Sequence, residues 1–329
     1  MSGPPYIIKL STTAPYLAPA FPLLRQTPGG NGVWKDFQFV WNERVERCHA
    51  WFVYDGLSAP EHTQCPPGNV GLIAAEPSAY KTYRPNFLKQ FDHVITCQRK
   101  SSHPSARVAQ PALPWFVNQS HDTLSRNQYP SKTKTMSIIC SRKRNMKWHR
   151  VRLKFLERLR AQFGDRIDLF GRGLRELPDK WDGLQPYRYS IALENSIEDH
   201  YWTEKLSDCF LAGTVLIYSG APNLADYFPE DAFVPIDIRE GGNAMRVIES
   251  LLERDDYEMR RGALDRARDR VLNEFNLFNV MSEFSRGFDL DAPPVLRRVV
   301  PESAPGKIRK PLEKFKRAYL GRSWIPPWH

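Results

Sequence analysis

Residues 187–236 constrain the fold more than any other part of this chain. Tyr189, Ile191 and Leu193 alternate with small or polar residues, which is the period of a β-strand. A helical spacing of apolar residues follows after a loop, and the apolar run Thr214–Tyr218 predicts a second strand. This order of elements predicts a β-α-β unit and therefore an α/β fold with a parallel sheet.

Charged residues stand at the predicted start of the helix in this unit. Thr203 is a suitable N-cap, and Glu204 and Lys205 follow it directly. A lysine in the first turn faces the positive end of the helix dipole, which favours it only if an anion is also bound there. Lys205 could then donate to a phosphate, while the Glu204 carboxylate could accept the hydroxyls of a ribose. The alternative interpretation is a solvated ion pair.

The first hundred residues contain four predicted strands: Tyr6–Leu10, Trp51–Tyr54, Val70–Ala75 and Phe91–Cys97. Glu76 follows the third strand, and Pro77 keeps the backbone of Glu76 extended. Ligands of open α/β sheets bind at the carboxyl ends of the strands, so Glu76 is a candidate site residue. The alternative is a carboxylate in a surface turn.

A second domain is predicted after a polar connection over residues 118–135. It opens with the strand Met136–Cys140, continues with a basic loop and an amphipathic helix, and reaches the strand Ile167–Phe170. The sequence Gly171-Arg172-Gly173 follows, and a G-x-G after a strand is a weak indication of phosphate binding. We therefore predict domains over residues 1–130 and 135–290, with a basic tail over 291–329.

Composition excludes several classes of protein. The chain has 41% hydrophobic and 26% charged residues, as expected for a soluble globular protein, and it contains no apolar run long enough to span a membrane. No typical signal peptide precedes it. The five cysteines form no CxxC pair, which argues against a zinc site or a disulfide framework and fits a reducing compartment. Asp289-Leu290-Asp291 has the form of a metal-binding D-x-D sequence but lies beside two prolines, so no metal site is predicted.

The net charge of +10 is concentrated in two basic islands, over residues 132–160 and 297–329. A nucleic-acid-binding protein is the alternative function that this charge suggests. However, the basic residues are not interleaved with the aromatic residues that single-strand binding needs, so we predict no nucleic-acid partner. In the second island, Leu312, Phe315, Tyr319 and Leu320 have helical spacing among basic residues, which predicts a membrane-surface helix. The alternatives are a solvated tail or one packed on the protein.

The sequence resembles the α1,3/1,4-fucosyltransferase family in an ordered set of motifs. These are A-L-E-N-S, Y-W-T-E-K-L, A-G-T-V, Y-S-G-A-P-N and D-Y-F-P-E-D-A-F, all within residues 187–236, with weaker similarity back to about residue 71. The resemblance implies a GT-B architecture, in which two Rossmann-like domains face each other across a cleft. It also implies an inverting transfer of fucose from GDP-fucose to a hydroxyl of an oligosaccharide or glycolipid acceptor, with an α1,3 or α1,4 linkage.

The same resemblance implies roles for individual residues. Glu76 would be the catalytic base, and Lys205 with either Arg172 or Arg175 would bind the diphosphate. The remaining donor-binding residues would be Asn195, Tyr201, Thr203 and Glu204. Because no cofactor or metal is expected, the diphosphate must meet fixed cations, and the loop residues Arg142, Lys143 and Arg144 are further candidates for that contact.

The animal members of the family carry a membrane stalk that is not found here, so the resemblance is nearer to bacterial members that act on lipopolysaccharide or capsular glycans. We accordingly expect a cytoplasmic protein, or one bound peripherally to the inner face of the membrane through its tail. A related GDP-deoxysugar is an alternative donor, and a sugar-binding protein without turnover is a further alternative.

Overall fold

The computed structural model describes residues 6–13, 22–126, 131–141 and 147–302. The chain forms two α/β halves, each built on its own largely parallel sheet. The first half contains the strands β1 Tyr6–Thr12, β2 Val33–Trp34, β3 Phe37–Trp41, β4 Ala50–Tyr54, β5 Glu61–Cys65, β6 Val70–Ala74, β7 His93–Thr96 and β8 Ala106–Val108. Its helices are α1 Pro85–Leu88 and α2 His121–Ser125.

Seven of these strands form the first sheet, in the order β2-β3-β1-β4-β6-β7-β8. All neighbouring pairs are parallel except β2 and β3. The sheet is covered on both faces, because alternate residues of β4 enter different cores: Phe52 packs in one and Trp51 in the other. Such two-sided burial explains why the central strands are continuous apolar runs in the sequence.

The second half begins with β9 Lys134–Ile139 and continues with α3 Lys147–Phe163, β10 Asp168–Phe170, β11 Tyr187–Leu193, α4 Glu204–Leu211, β12 Val215–Ser219 and β13 Phe233–Pro235. The five strands are all parallel, in the order β10-β9-β11-β12-β13. The helices α5 Gly241–Arg254 and α6 Tyr257–Asp269 complete this half and pack in a single core with the sheet. The predicted β-α-β unit is confirmed as β11-α4-β12.

The end of the chain returns to the first half, which differs from the domain boundary predicted at residue 290. Helix α7 Leu277–Ser285 packs Leu277, Phe278 and Met281 into a core of the first sheet. The strand β14 Val295–Val299 then pairs antiparallel with β5. Residues 277–299 therefore belong structurally to the first half, because the apolar side of α7 is buried there. The predicted membrane-surface helix lies outside the described residues.

Candidate active site

Glu194 fixes the start of helix α4 to the end of strand β11. It follows β11 directly, and its side chain is fully buried. The Thr203 backbone N–H donates to this carboxylate at 2.9 Å, and the Thr203 hydroxyl lies 3.0 and 2.9 Å from its two oxygens. The Thr203 hydroxyl oxygen also accepts the backbone N–H of Lys205, so the predicted N-cap is confirmed. Glu194 was not among the predicted site residues, because strand alternation placed it on the polar side.

A chain of alternating buried charges continues from Glu194 along this edge of the sheet. The Lys205 Nζ lies 3.4 Å from a carboxylate oxygen of Glu194 and 3.1 Å from one of Glu204. The Lys180 Nζ lies 3.6 Å from the same Glu204 oxygen and 3.0 Å from Asp208. We call these five residues the buried charge chain. It joins the helical turn at residues 180–183 to α4 and to the end of β11.

The buried charge chain shows that Glu204 and Lys205 are not the solvated ion pair of the alternative interpretation. Their side chains are only 3% and 8% exposed. Burial lowers the pKa of Lys205, but the negative charges of Glu204 and Glu194 outweigh it and hold that pKa above its ordinary value. Burial raises the pKa of Asp208, and the Lys180 charge opposes that effect. Because every charge has a buried partner, removal of any one would be costly.

Arg152 is a site residue that the sequence reasoning missed. It lies on α3 and is 2% exposed, and its Nη1 donates to the Leu193 carbonyl at 3.2 Å and to the Asn195 side-chain oxygen at 2.5 Å. Its Nε and Nη2 are buried and have no hydrogen-bond partner among the described residues. A signal was available in the sequence, since position 152 lies in the same helical row as Phe155 and Leu159, where a charged residue is unusual.

The G-x-G sequence after β10 has a structural role. Gly171 has φ of +131°, and a Cβ at this position would lie 2.1 Å from the carbonyl oxygen of Cys140. Only glycine therefore allows the ends of β9 and β10 to approach this closely. The glycine sequence by itself is not evidence for a bound phosphate in this chain.

The two arginines predicted for the diphosphate lie at the outer edge of the sheet. Arg175 is 56% exposed, pairs with Asp168 at 2.9 Å and stacks over the Phe170 ring at 4.1 Å. Arg172 is exposed. The structure does not bring either residue into the buried charge chain, so their role stays a prediction. The further phosphate candidates, Arg142, Lys143 and Arg144, lie outside the described residues.

Glu76 stands at the carboxyl end of the first sheet, just after β6, as predicted. The Tyr83 hydroxyl oxygen accepts its backbone N–H at 3.3 Å, and the Gln98 side-chain amide donates to its carbonyl at 2.9 Å. No described residue donates a hydrogen bond to the Glu76 carboxylate. Burial, and then the negative charge of Asp55, raise the pKa of Glu76 to about 7, while Lys81 acts in the opposite direction. A carboxylate with this pKa is suited to act as a general base near neutral pH.

Charges of the second half also act on Glu76, so the strand ends of the two halves lie near each other. Lys205 lowers and Glu204 raises the pKa of the Glu76 carboxyl. Tyr201 is buried, and burial, followed by the charges of Glu194 and Glu76, raises its pKa well above the ordinary value. Tyr201 therefore lies close enough to charged residues of both halves for their charges to affect its pKa. Of the predicted donor residues, Tyr201, Glu204 and Lys205 therefore lie near the predicted base.

Direct contacts hold the two halves against each other beside Glu76. The backbone N–H and the hydroxyl of Ser78 donate to a Glu198 carboxylate oxygen at 2.9 and 2.8 Å. Arg99 pairs with Asp199 at 2.5 Å. The loop that follows β11 thus contacts the loops that follow β6 and β7.

Two kinds of feature are absent from the part of the chain that the structure describes. No group of three or more His, Cys, Asp or Glu residues there has an arrangement that could hold a metal ion. Within the same residues, no helix combines the length and apolar character needed to cross a membrane.

Asp291 of the D-x-D sequence accepts a hydrogen bond from Tyr6, and the Asp289 carbonyl accepts one from Asn69.

Two α/β halves whose parallel strands end at a shared cleft define the GT-B architecture of glycosyltransferases. Similar solved structures share this fold. The crystal structure of an α1,3-fucosyltransferase with GDP-fucose has a TM-score of 0.51 and 16% identity and covers 87% of this chain and 91% of that chain. An α1,3-fucosyltransferase structure with GDP also has a TM-score of 0.51 and 16% identity and covers 88% of this chain and 93% of that chain. The predicted fold class is confirmed.

Residues 129–260 match the family model of glycosyltransferase family 10 (fucosyltransferase), C-terminal part. A putative fucosyltransferase-like protein of Arabidopsis thaliana is 30% identical over 183 residues, which cover 53% of this chain and 33% of that protein. The human 3-galactosyl-N-acetylglucosaminide 4-alpha-L-fucosyltransferase FUT3 is 29% identical over 129 residues, covering 38% and 34%. The resemblance to fucosyltransferases is confirmed for this part of the chain, which spans about a third of the length of these curated relatives.

Proposed function

We propose that this protein is an inverting glycosyltransferase that transfers fucose from GDP-fucose to a hydroxyl group of a glycan. The observation that carries the proposal is the pairing of two sites across the cleft. Glu76, whose pKa is about 7, lies within the influence of the Lys205 charge, and the charge of Arg152 acts on Lys205 in turn. Support also comes from the relatives, which include an α1,3-fucosyltransferase whose structure was solved with GDP-fucose.

Arg152 and Lys205 are the cations we assign to the diphosphate of the donor. Two buried guanidinium nitrogens of Arg152, Nε and Nη2, have no partner among the described residues, and a diphosphate would supply charged acceptors for both. Lys205 lies at the N-terminus of α4, where the helix N–H groups also favour an anion. Glu204 would accept the ribose hydroxyls, and Asn195 and Tyr201 would border the pocket. This assignment ranks Arg152 above Arg172 and Arg175.

The proposed reaction is a single displacement at the anomeric carbon. The Glu76 carboxylate takes the proton of the acceptor hydroxyl as the new bond from that oxygen to the anomeric carbon forms. The bond from the anomeric carbon to the phosphate oxygen breaks, and GDP leaves with the electron pair. Arg152 and Lys205 stabilise the negative charge that develops on the departing phosphate. Because these cations are fixed in the protein, we expect turnover without a divalent metal.

The finer identity of the substrates is also part of the proposal. Named relatives form α-linkages at position 3 or 4 of a glycan, and we infer one of these linkages here. A related GDP-deoxysugar remains the alternative donor. We further propose a bacterial role in surface-glycan synthesis at the cytoplasmic side of the membrane.

Part of the basic island over residues 132–160 is engaged inside the protein and is not available to a nucleic acid. The Lys132 Nζ is buried and donates to the carbonyls of Gln185 and Ala212, both at 2.7 Å, and burial lowers the pKa of Lys132 to about 7. Arg152 of the same island is buried, and Lys134 pairs with Asp168. These three charges serve the interior and the sheet edge, whereas Arg150, Lys154, Arg158 and Arg160 of the same island are exposed.

A thermal-shift panel of nucleotide sugars tests the donor assignment. GDP-fucose should stabilise the protein at concentrations where UDP- and CMP-sugars do not, by about 2.7 kcal/mol at a hundredfold excess over Kd. Arg152→Met should abolish most of this shift, while Lys154→Met, an exposed lysine of the same helix, should keep it. Equal shifts with all nucleotide sugars, or an unchanged GDP-fucose shift in Arg152→Met, would contradict the assignment.

Membrane attachment through the tail requires a separate test. The full chain and a chain ending at residue 302 should be compared in flotation with anionic vesicles. Residue 302 is the right end point, because a shorter chain ending at 294 would lose β14 and its pairing with β5. Equal flotation of both chains would show that the tail is not the attachment site.

A further inference from the structure

Tyr80 is an exposed aromatic residue four positions after Glu76. Five large apolar side chains are exposed in the part of the chain that the structure describes, and Tyr80 is the only aromatic one, with 61% exposure. Single exposed apolar residues are common on protein surfaces. The position of this one is informative, because tyrosine is favoured where an apolar ligand face and a hydroxyl must be met together.

The local backbone places Tyr80 in the turn that follows Glu76. Its N–H donates to the Pro77 carbonyl at 2.9 Å, which closes a turn directly after Glu76. Ser78 of the same turn binds Glu198 of the second half. Tyr80 thus belongs to the turn that directly follows the base and that carries a contact between the halves.

The carboxylates of Glu76 and Asp55 are close enough to the Tyr80 hydroxyl to affect its pKa. Burial, then the negative charges of Glu76 and Asp55, raise the pKa of Tyr80. The side chain therefore combines a largely solvent-accessible ring with a hydroxyl on which the charges of Glu76 and Asp55 act. Asp55 and Lys81, whose side chains are 19% and 27% exposed, provide further hydrogen-bonding groups nearby.

We propose that Tyr80 forms the acceptor subsite, in which a pyranose ring of the acceptor lies on the tyrosine ring with one hydroxyl directed at Glu76. This inference rests on the proposed transferase function. A pyranose has a face of C–H groups and a rim of hydroxyls. The tyrosine ring matches the C–H face, and the partly exposed Asp55 and Lys81 match the hydroxyl rim.

The charges at this subsite also define the kind of sugar. Glu76 and Asp55 are two carboxylates, and the Lys81 cation is already paired, 3.5 Å from Asp55 and 3.9 Å from a third carboxylate, that of Glu302. A negatively charged sugar would be repelled by this arrangement. The subsite therefore takes a neutral pyranose in preference to an acidic one.

The test measures sugar binding directly, without turnover. N-acetyllactosamine is titrated against the GDP-saturated protein by saturation-transfer NMR, with its sialylated form as the acidic comparison. Tyr80→Ala should weaken disaccharide binding by about tenfold, in line with the loss of an aromatic contact, while Tyr80→Phe should retain it within about twofold. Met259→Ala, which removes an exposed side chain on α6, should bind like the wild type.

The outcomes separate this inference from the proposed function. No binding of N-acetyllactosamine to the wild type, equal binding by Tyr80→Ala, or stronger binding of the sialylated sugar would each overturn the subsite. GDP-fucose stabilisation is measured on the wild type in parallel, and its absence would refute the donor proposal whatever the disaccharide does. A lipid-linked disaccharide is compared with the free one. Equal Tyr80 dependence in both assigns recognition to the sugar, and dependence confined to the lipid-linked form contradicts the proposal.

Discussion

Replacing Glu76 by Gln should stabilise the protein at alkaline pH while abolishing transfer. Burial and the charge of Asp55 raise the pKa of Glu76 from 4.5 to about 7. A carboxyl with a higher pKa in the folded state holds its proton more tightly when folded, so its charged form opposes folding. The penalty is absent below the unfolded pKa and complete once the pH exceeds the folded pKa. The difference between the folded and unfolded pKa of Glu76 therefore lowers the folding stability by about 3 kcal/mol at pH 8 and by less than about 1 kcal/mol at pH 5.

Urea unfolding at pH 5 and pH 8 measures this difference. Glu76→Gln has no charge to lose, so its gain over the wild type should grow by about 2 kcal/mol between the two pH values. Glu230→Gln is the matched control, because Glu230 is exposed and lies in the second half. Its effect should be the same at both pH values. GDP affinity and transfer are measured on the same samples.

Two results would refute this reasoning. A stability gain that is equal at pH 5 and pH 8 would mean that the Glu76 carboxyl does not hold its proton near neutral pH. A parallel loss of GDP affinity and transfer would mean that Glu76 maintains the fold of the site and is not its base.

Two other substitutions test the surroundings of these groups. Asp55→Asn removes the negative charge beside Glu76 and should lower the pKa of Glu76 by about 1. The midpoint of the pH profile of kcat/KM should then move to lower pH. An unchanged midpoint would contradict the assignment of that pKa to Glu76. Lys180→Met leaves Glu204 and Asp208 without one of their buried cations and should cost about 3–5 kcal/mol of stability by urea unfolding, with partial recovery in Lys180→Arg. A loss below about 1 kcal/mol would show that the buried charge chain is solvated in solution.

Local patterns in the sequence were sufficient to predict the β-α-β unit of the second half. Strand alternation before Glu194, helical spacing after Thr203 and a further apolar run gave β11, α4 and β12 in the right order. The place of Glu76 after a buried strand was also predictable, since strand ends are local features. The resemblance to fucosyltransferases supplied the roles that these local patterns could not.

Contacts between residues far apart in the sequence explain why Arg152, Glu194 and strand β14 were not predicted. Arg152 occupied the buried row of its helix, but only the three-dimensional structure shows that its guanidinium reaches the Leu193 carbonyl, 41 positions away in the sequence. Glu194 followed a strand period that ends one residue earlier, and its burial comes from Thr203 folding back over it. Strand β14 pairs with β5, which lies more than two hundred residues earlier in the sequence. Residues close to β14 in the sequence therefore give no indication of this pairing.

The return of α7 and β14 to the first half has a consequence for biosynthesis. Leu277, Phe278 and Met281 complete a core whose other members were synthesised far earlier, among them Ile8 and Phe52. Domains usually fold in the order in which they leave the ribosome. Here the half that emerges first must wait for the last described segment of the chain, whereas residues 134–269 contain nearly all of their own core. We expect the second half to fold first, and nascent chains to expose apolar surface of the first sheet until α7 arrives.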